Sequence, residues 1–201
     1  LITNIQAYLY LKGEYDPKKE GTFAPSLCNR IDKNTGGIVI AAKNAKTLRV
    51  MNQKIKDKEL QKKYLCIVHG ILSPKSATLE AYHIKNTRLN KVFIFDEPQE
   101  GARKIQTRYR VLKTKNSLSL VEVELLTGRT HQIRAHFAHI GHPLAGDTKY
   151  GTNAQNAGLP YKHQALYSYK LKFAFQTPSH LDYLKGRTFL LQSGFKPLKK
   201  V

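Results

Sequence analysis

Asp32 is an acidic residue whose surroundings suit it to chemistry. It lies in residues 29–37, Asn-Arg-Ile-Asp-Lys-Asn-Thr-Gly-Gly, with Arg30 and Lys33 close on either side. Neighbouring cations favour the ionised carboxylate, which is the form that acts as a nucleophile. The two glycines permit close approach of a ligand to the backbone. An aspartate in a loop is more often a turn former or a cap, so both interpretations stay open for this segment alone.

A second segment supplies the cation that such a carboxylate needs. Residues 126–136, Leu-Thr-Gly-Arg-Thr-His-Gln-Ile-Arg-Ala-His, place guanidinium groups at the start of a predicted helix. A guanidinium is a planar fork that stays charged and can orient a carboxylate, whereas lysine would offer only a point charge. The two segments together indicate a nucleophile that works on nucleic acid.

The charge balance of the chain indicates a polyanionic partner. Lys and Arg number 34 against 14 Asp and Glu, which gives a net charge of +20 and a pI near 10.0. Solubility alone usually needs a net charge of about 2 to 8 in a small domain. Nucleic acid is therefore favoured as the partner, bound through contacts with its phosphates.

Membrane insertion and secretion are not indicated by the sequence. No apolar run approaches the roughly 20 residues that span a bilayer. Only Cys28 and Cys66 occur, without Cys-x-x-Cys spacing, and no secretory signal pattern opens the chain. We expect a soluble protein of the reducing cytoplasm, with both thiols as small apolar groups.

The elements that must position these residues follow from hydrophobic periodicity and turn signals. A chain of 201 residues with 41% apolar content predicts a single domain over residues 1–201. The helical spacing of Ile2, Ile5 and Leu9 predicts a helix at the start of the chain, before a break at residues 16–21. Further helices are predicted over 45–58 and over 130–140, and residues 13–30 are predicted to form a loop that delivers Asp32. Strands are predicted over 38–42, 64–69, 78–83, 91–95, 105–111, 119–126 and 165–175. This order predicts an α+β fold around a largely antiparallel or mixed sheet.

Two of these strands alternate clearly between apolar and polar residues. In 105–111 the alternation places Arg108 and Arg110 outward. In 165–175 the odd-numbered residues form the apolar face, and Leu166 interrupts an otherwise polar face that includes Ser168.

Four ordered motifs resemble the RluA-type pseudouridine synthases. Residues 29–37 are similar to the family's segment with Arg, Leu or Ile, and Asp, followed by Thr, Ser or Gly, and Gly; residues 62–68 resemble its tyrosine motif. Residues 126–136, continued by 141–151, resemble its Leu-x-Thr-Gly-Arg-Thr-His-Gln-Ile-Arg motif, and residues 163–166 resemble the strand that closes its pocket. The resemblance spans residue 26 to about residue 175.

The resemblance implies isomerisation of uridine in RNA to pseudouridine, without a cofactor. Asp32 would be the nucleophile, attacking either C1′ of the ribose or C6 of the base, and both routes stay open. Arg134 would pair with Asp32 and keep it ionised and oriented. Tyr64 would stack on the base and remove the C5 proton. Arg30 would occupy the space that uridine leaves when it is extruded from the RNA stack.

The remaining site residues follow from the same resemblance. Leu166 would form the floor under the uracil ring, and Thr35 and Gly36 would contact the substrate. Arg129 and His131 would either contact RNA or have a structural role, and these alternatives stay open. The family's usual Lys-Pro-x-Gly stretch and S4-type RNA-binding domain lie upstream in other members, and neither is found in these 201 residues.

Two further patterns are interpreted as unrelated to the chemistry. His136, His139 and His142 are spaced three apart, but no cysteine completes a metal site, and the first two are expected on a helix surface or cap. Residues 141–148 carry the glycines of a phosphate loop, but Asp147 stands where lysine is needed and would repel phosphate. We predict no metal.

The sequence therefore predicts a cytoplasmic, monomeric pseudouridine synthase that acts on structured RNA, most plausibly bacterial 23S ribosomal RNA. The rival interpretation is a non-catalytic RNA-binding or ribosome-associated protein. It explains the charge equally well but leaves the order of the motifs unexplained.

The net charge predicts a steep salt dependence of RNA affinity, because each phosphate that is neutralised releases condensed counterions. Six phosphate contacts would weaken affinity by about a thousandfold between about 50 and about 200 mM salt. Fluorescence anisotropy with a labelled ribosomal RNA fragment measures this slope. An affinity that is flat across this range would contradict extensive phosphate contact.

Overall fold

Helices and strands are interspersed along the chain in the computed structural model, which describes residues 1–19 and 23–191. The helices of the described residues are α1 (Ile2–Leu11), α2 (Ala45–Lys56), α3 (Gln132–His139), α4 (Asn153–Asn156) and a 3-10 turn at Asp182–Leu184. The strands are β1 (Ser26–Leu27), β2 (Gly36–Gly37), β3 (Ala41–Ala42), β4 (Leu60–His69), β5 (Ser76–Asn86), β6 (Lys91–Phe95), β7 (Arg103–Lys115), β8 (Leu118–Leu125), β9 (Leu166–Phe173) and β10 (Thr188–Leu190).

A mixed sheet of eight strands confirms the predicted α+β class. Its order is β10-β9-β4-β8-β7-β5-β6, and β2 pairs in parallel with β9. The pairs β4–β8, β8–β7, β7–β5 and β5–β6 are antiparallel. The short strands β1 and β3 form a separate antiparallel pair.

Contacts between residues divide the chain into two compact units. Among the described residues, the first comprises those within Leu1–Ile31, Ile38–Gln61 and Leu171–Phe189, and the second comprises Asp32–Gly37, Lys62–Lys170 and residues 190–191. Each is described by itself below. The single-domain organisation expected from the sequence stays a prediction.

The first unit has its own apolar core around α2. Met51 of α2 packs with Leu171, Phe173, Phe175 and Leu181. The helix begins where Asn44 accepts a hydrogen bond from the Thr47 N–H at 2.8 Å, an N-cap that satisfies a free donor of the first turn. The amphipathic helix predicted over 45–58 is confirmed, with its end at Lys56.

A buried ion pair lies beneath α2 in the first unit. The Lys54 Nζ donates to the Glu59 carboxylate at 2.8 Å and to the Thr177 hydroxyl at 2.6 Å, and the side chains of Lys54 and Glu59 are 2% and 5% exposed. Glu59 also accepts hydrogen bonds from the backbone N–H groups of Gln176 and Thr177. Lys54 is therefore buried, although it belongs to a lysine-rich stretch of the sequence of the kind that usually lies in solvent.

The second unit is built on β4, whose two faces enter different apolar clusters. Tyr64, Cys66 and Val68 join a cluster that includes Phe137 of α3 and Leu166 of β9. The alternate residue Ile67 packs with Leu118, Ala145 and Ala165. Because both faces of the strand are covered here, its sequence is a nearly continuous apolar run rather than an alternating one.

Most predicted strands are present, but two predictions need correction. Residues 38–42 were predicted as a strand, but only Ala41–Ala42 form one. The apolar side chains of Ile38 and Ile40, which suggested the longer strand, instead pack against the core of the first unit. In β9, Leu166 and Ser168 are both buried, so the face predicted to be polar is covered at that end. The outward cations of β7 are confirmed, since Arg108 and Arg110 are exposed. The described part of the loop predicted over 13–30 contains a single two-residue strand, β1.

The Lys54–Glu59 pair predicts a specific loss of stability in acid. The hydrogen bond from Lys54 lowers the pKa of Glu59 from 4.5 to about 2, although burial opposes the shift. A carboxyl with a lowered folded-state pKa stabilises the fold above its unfolded pKa, and this contribution is lost as pH falls through the folded-state value. Glu59→Gln should therefore melt below the wild type at neutral pH, and the gap should narrow between about pH 4.5 and about pH 2.

Thermal melts across this pH range test the prediction, with Glu14→Gln as the matched control. Glu14 pairs with Lys43 at 2.7 Å, but both side chains are about half exposed, so little effect is expected at any pH. A gap between Glu59→Gln and wild type that stays constant down to pH 2.5 would contradict the assignment.

Candidate active site

Asp32 lies at the start of a tight turn in the second unit. Its carbonyl accepts a hydrogen bond from the Thr35 N–H at 3.0 Å, and Asn34 takes a left-handed conformation with φ of 68°. The turn leaves the Asp32 side chain 21% exposed. A carboxylate is thus presented at a surface while its backbone is fixed.

The turn is held against β9 by side-chain and backbone contacts. The Gln164 amide donates to the Lys33 carbonyl at 2.6 Å and to the Thr35 hydroxyl at 3.2 Å. Directly after the turn, β2 pairs with residues 167–168, and a Cβ on Gly37 would lie 2.1 Å from the Ser168 carbonyl oxygen. Glycine at 37 is therefore required by the close approach of two backbones, and its φ of +116° is one that other residues rarely adopt.

Gln132 fixes the start of α3. Its Oε1 accepts from the Thr127 hydroxyl and from the Arg129 N–H, both at 3.0 Å. Its Nε2 donates to the Gln106 carbonyl at 3.1 Å and to the Thr107 hydroxyl at 3.0 Å. A buried amide with its donors and acceptor engaged locks the register of the helix against β7.

Arg134 on α3 contacts two carboxylates in different ways. Its Nε and Nη2 donate to Asp147 at 2.6 and 2.9 Å, whereas its Nη1 makes one longer contact of 3.3 Å with Asp32. Burial acts to lower the pKa of Arg134, but the hydrogen bonds and charges of Asp147 and Asp32 outweigh it, and the pKa is raised. The predicted pair with Asp32 is present, but the planar fork grips Asp147.

Asp147 is a member of the site that the sequence interpretation left out. Its side chain is fully buried, and its Oδ1 also accepts from the Lys149 and Tyr150 N–H groups at 3.0 and 3.3 Å. The interpretation of Asp147 as a residue that merely spoils a phosphate loop is incomplete, since it anchors Arg134. A signal was available, because Asp147 is the only acid between Glu124 and Asp182.

Tyr64 and Leu166 lie together in the apolar cluster of the second unit, each 7% exposed. Burial raises the pKa of the Tyr64 phenol, and the charge of Asp32 raises it further, while a hydrogen bond with Ser168 acts in the opposite direction. Tyr64 is thus a buried phenol whose pKa also responds to the charge of Asp32.

His131 and Tyr150 lie beside Arg134. The His131 Nδ1 is 2.8 Å from the Tyr150 hydroxyl, which also accepts from the Val92 N–H at 3.0 Å. The Tyr150 ring is 5.2 Å from the guanidinium carbon of Arg134, a cation–π contact. Burial lowers the pKa of His131 and raises that of Tyr150 to about 12, so both are neutral near pH 7.

The other predicted contact residues are placed as follows. Arg129 and Gly36 are exposed in the second unit, and Thr35 is buried with its hydroxyl engaged by Gln164. Arg30 is exposed and belongs to the first unit. The predicted residues Asp32, Tyr64, Arg134 and Leu166 therefore fall within the second unit, with His131 beside Arg134. The same unit contains Thr35, Gly36 and Arg129.

The histidines spaced three apart do not converge. His136 is 1% exposed, which corrects its predicted place on a helix surface, and burial lowers its pKa to about 4. His139 pairs with Asp96 at 2.8 Å, and His142 contacts the His69 carbonyl at 2.8 Å. Among residues 1–19 and 23–191, no group of three or more His, Cys, Asp or Glu is arranged to hold a metal, and no helix of that part is long and apolar enough to cross a bilayer.

Comparison with known proteins gives the same family throughout. Residues 4–139 match the family model described as RNA pseudouridylate synthase. The chain is 34% identical over 153 residues to an uncharacterized RNA pseudouridine synthase of Bacillus subtilis, YlyB, covering 76% of this chain and 48% of that protein. It is also 34% identical over 153 residues to ribosomal large subunit pseudouridine synthase D of Borreliella burgdorferi, covering 76% of this chain and 46% of the relative.

Solved structures show the same fold. Human RNA pseudouridylate synthase domain containing 4 aligns with a TM-score of 0.72 at 20% identity, covering 95% of this chain and 78% of that one. Human RNA pseudouridylate synthase domain containing 1 aligns with a TM-score of 0.67 at 24% identity, covering 92% and 82%. The chain spans about half the length of the curated relatives it matches.

The Arg134–Asp147 pair predicts a large stability cost for Asp147→Asn. The substitution leaves a buried guanidinium without its bidentate anion, and breaking a buried ion pair on one side costs about 3 kcal/mol or more. Urea unfolding measures this loss. Asp96→Asn is the control, because Asp96 is 82% exposed and a surface pair contributes little. Equal stability of the two variants would show that Asp147 does not anchor Arg134.

Proposed function

Because this chain belongs to the RluA-type RNA pseudouridylate synthase family, we propose that it isomerises uridine to pseudouridine in structured RNA. The reaction detaches uracil at N1, turns it, and rejoins it to the ribose through C5. No cofactor is required, since every bond that forms replaces one that breaks within the same nucleotide. The activity, the target and the residue roles below are parts of this proposal.

The pairing of Asp32 with an anchored Arg134 supports a nucleophilic role for this carboxylate. The fixed cation orients one oxygen of the carboxylate through a single contact of 3.3 Å. The hydrogen bond from Arg134 is made to Oδ2, so Oδ1 is the oxygen that we assign to attack. This arrangement is the observation that carries the proposal.

Attack at ribose C1′ and attack at uracil C6 are both compatible with an aspartate. At C1′ the carboxylate displaces the uracil anion, stabilises positive character in the sugar, and leaves when C5 attacks, as in glycosyl transfer. At C6 it adds to the ring and is later eliminated. Both routes end with removal of the C5 proton.

Tyr64 and Leu166 are suited to hold the base. Both lie in one apolar cluster, so an extruded uracil ring would meet an aromatic and an aliphatic surface there. The charge of Asp32 acts on the Tyr64 phenol. We assign the Tyr64 oxygen as the base that removes the C5 proton. His131, which contacts Tyr150, would border the nucleotide. The exposed Gly36 and the backbone of the buried Thr35 would also border it.

The proposed RNA is bacterial 23S ribosomal RNA. The net charge of +20 suits a polyanion, and exposed Arg129 and Arg30 would contribute to its binding, with Arg30 filling the space left by the extruded uridine. The relative from Borreliella burgdorferi is named as a ribosomal large subunit enzyme. A cytoplasmic, monomeric enzyme is the form that we propose.

Release of tritium tests the activity. Ribosomal RNA transcribed with uridine labelled at C5 should lose label to water with the wild type, because C5 exchanges its hydrogen for the ribose. Asp32→Asn should lower the rate by at least about a thousandfold, since an amide is a poor nucleophile. RNA affinity, measured by filter binding, should be unchanged within about twofold.

Asp57→Asn is the matched control, because Asp57 is an exposed carboxylate that caps α2. It should release label at the wild-type rate. Equal release by Asp32→Asn and wild type would remove Asp32 from the chemistry. Binding without any release by the wild type, on a broad RNA pool, would favour the non-catalytic RNA-binding alternative.

A further inference from the structure

Ser168 is a buried hydroxyl for which the proposed chemistry has so far no use. It is 3% exposed and lies in β9, on the face that the sequence pattern predicts to be solvated. A small polar residue buried in an apolar environment costs free energy unless its hydroxyl has a partner. The group that it acts on is the Tyr64 phenol, because an interaction with the Ser168 side chain lowers the pKa of that phenol.

Strand geometry independently brings these two side chains together. The Ile67 N–H donates to the Ala165 carbonyl at 3.0 Å and the Ala174 N–H donates to the Glu59 carbonyl at 2.9 Å, so β4 and β9 run antiparallel, with a register shift of one residue between the two bonds. Tyr64 is nearer to the Ile67–Ala165 bond, and counting three residues from that bond sets Ser168 across from Tyr64. Leu166, two residues before Ser168 and thus on its face, packs in the same cluster as Tyr64.

The backbone of Ser168 is engaged by the segment that carries Asp32. Ser168 pairs with Gly37, and its carbonyl oxygen would lie 2.1 Å from a Cβ at that position. One residue therefore fixes β2, five residues after Asp32, through its main chain, and meets Tyr64 through its side chain. A shift of Ser168 would disturb both groups.

We infer that Ser168 is a positioning residue for Tyr64, whose hydroxyl donates to the phenol oxygen and holds it for removal of the C5 proton. This inference rests on the proposed function. In that step the C5–H bond breaks, its electron pair restores the C5–C6 double bond, and the proton passes to the phenolate oxygen. Tyr64 then returns the proton to water.

The electrostatics of Tyr64 make such a donor useful. Burial and the Asp32 carboxylate both raise the pKa of the phenol, and the hydrogen bond from Ser168 lowers it. Val123, Cys66 and Leu166, which share the Tyr64 cluster, offer no donating hydroxyl. Without the Ser168 hydroxyl, the phenolate form of Tyr64 would lie beside the Asp32 carboxylate in an apolar environment without this donor, so the phenol would ionise less readily.

Turnover by Ser168→Ala on C5-tritiated and C5-deuterated ribosomal RNA tests the inference. The rate constant kcat should fall about tenfold with KM unchanged, because loss of a hydrogen bond to the charged phenolate lowers the fraction of Tyr64 that is ionised and able to accept the proton. The deuterium isotope effect on kcat should rise, because proton removal becomes slower relative to the other steps. Ser168→Thr, which keeps the hydroxyl, should restore most of kcat.

Ser119→Ala is the matched control. Ser119 is an equally buried strand serine of the same unit, and its hydroxyl donates to the Gly70 carbonyl at 2.8 Å, so its loss should change neither kcat nor the isotope effect. Wild-type turnover by Ser168→Ala, or a loss that Ser168→Thr shares, or an unaltered isotope effect, would overturn the role of Ser168. Absence of tritium release by the wild type would instead refute the proposed function.

Discussion

The buried guanidinium of Arg134, shared unequally between two carboxylates, is the interaction on which the rest of the site depends. Asp147 takes Nε and Nη2 at 2.6 and 2.9 Å, and Asp32 takes only Nη1 at 3.3 Å. Charge-assisted bonds normally measure about 2.7 to 2.9 Å, so the contact with Asp32 is the weaker one. Arg134 is therefore held in place by Asp147. The proposed nucleophile, Asp32, can give up its one hydrogen bond with Arg134 without releasing the arginine from Asp147.

The contacts that surround Arg134 and Asp32 hold the backbone segments that carry these two residues. Gln132 holds the start of α3, which carries Arg134, and the Gly37–Ser168 pairing holds the turn that carries Asp32. Neither contact touches Asp32 itself. A weak contact of 3.3 Å is maintained only if both of its partners are placed by stronger ones, because it contributes too little to order either side chain.

The sequence predicted those parts of the molecule that depend on local pattern. The helix over α2, the outward cations of β7 and the pairing of Asp32 with Arg134 follow from periodicity or from motif order. The strand predicted over residues 38–40 is absent, because an apolar run has the same composition whether it pairs within a sheet or packs against a core.

Other features depend on partners that are distant along the chain. Lys54 looks solvated among lysines, yet it is buried by Glu59 and by Thr177, a residue 123 positions away. Ser168 looks solvated in an alternating strand, yet the phenol that engages it comes from another strand. Asp147 could be found only by asking which anion a buried arginine would meet.

The charges of the site suggest how a basic protein could bring a neutral ring to a carboxylate. Asp32, Asp147 and Arg134 sum to −1, which makes this cluster an exception in a chain of net charge +20. RNA phosphates would be drawn to exposed cations such as Arg129 and kept away from the cluster by like charge. Uracil carries no charge, so the negative cluster repels it less than it repels the phosphate of the same nucleotide. In the proposed enzyme the general positive field would thus bind the RNA, and the local negative cluster would select which atoms of it approach Asp32.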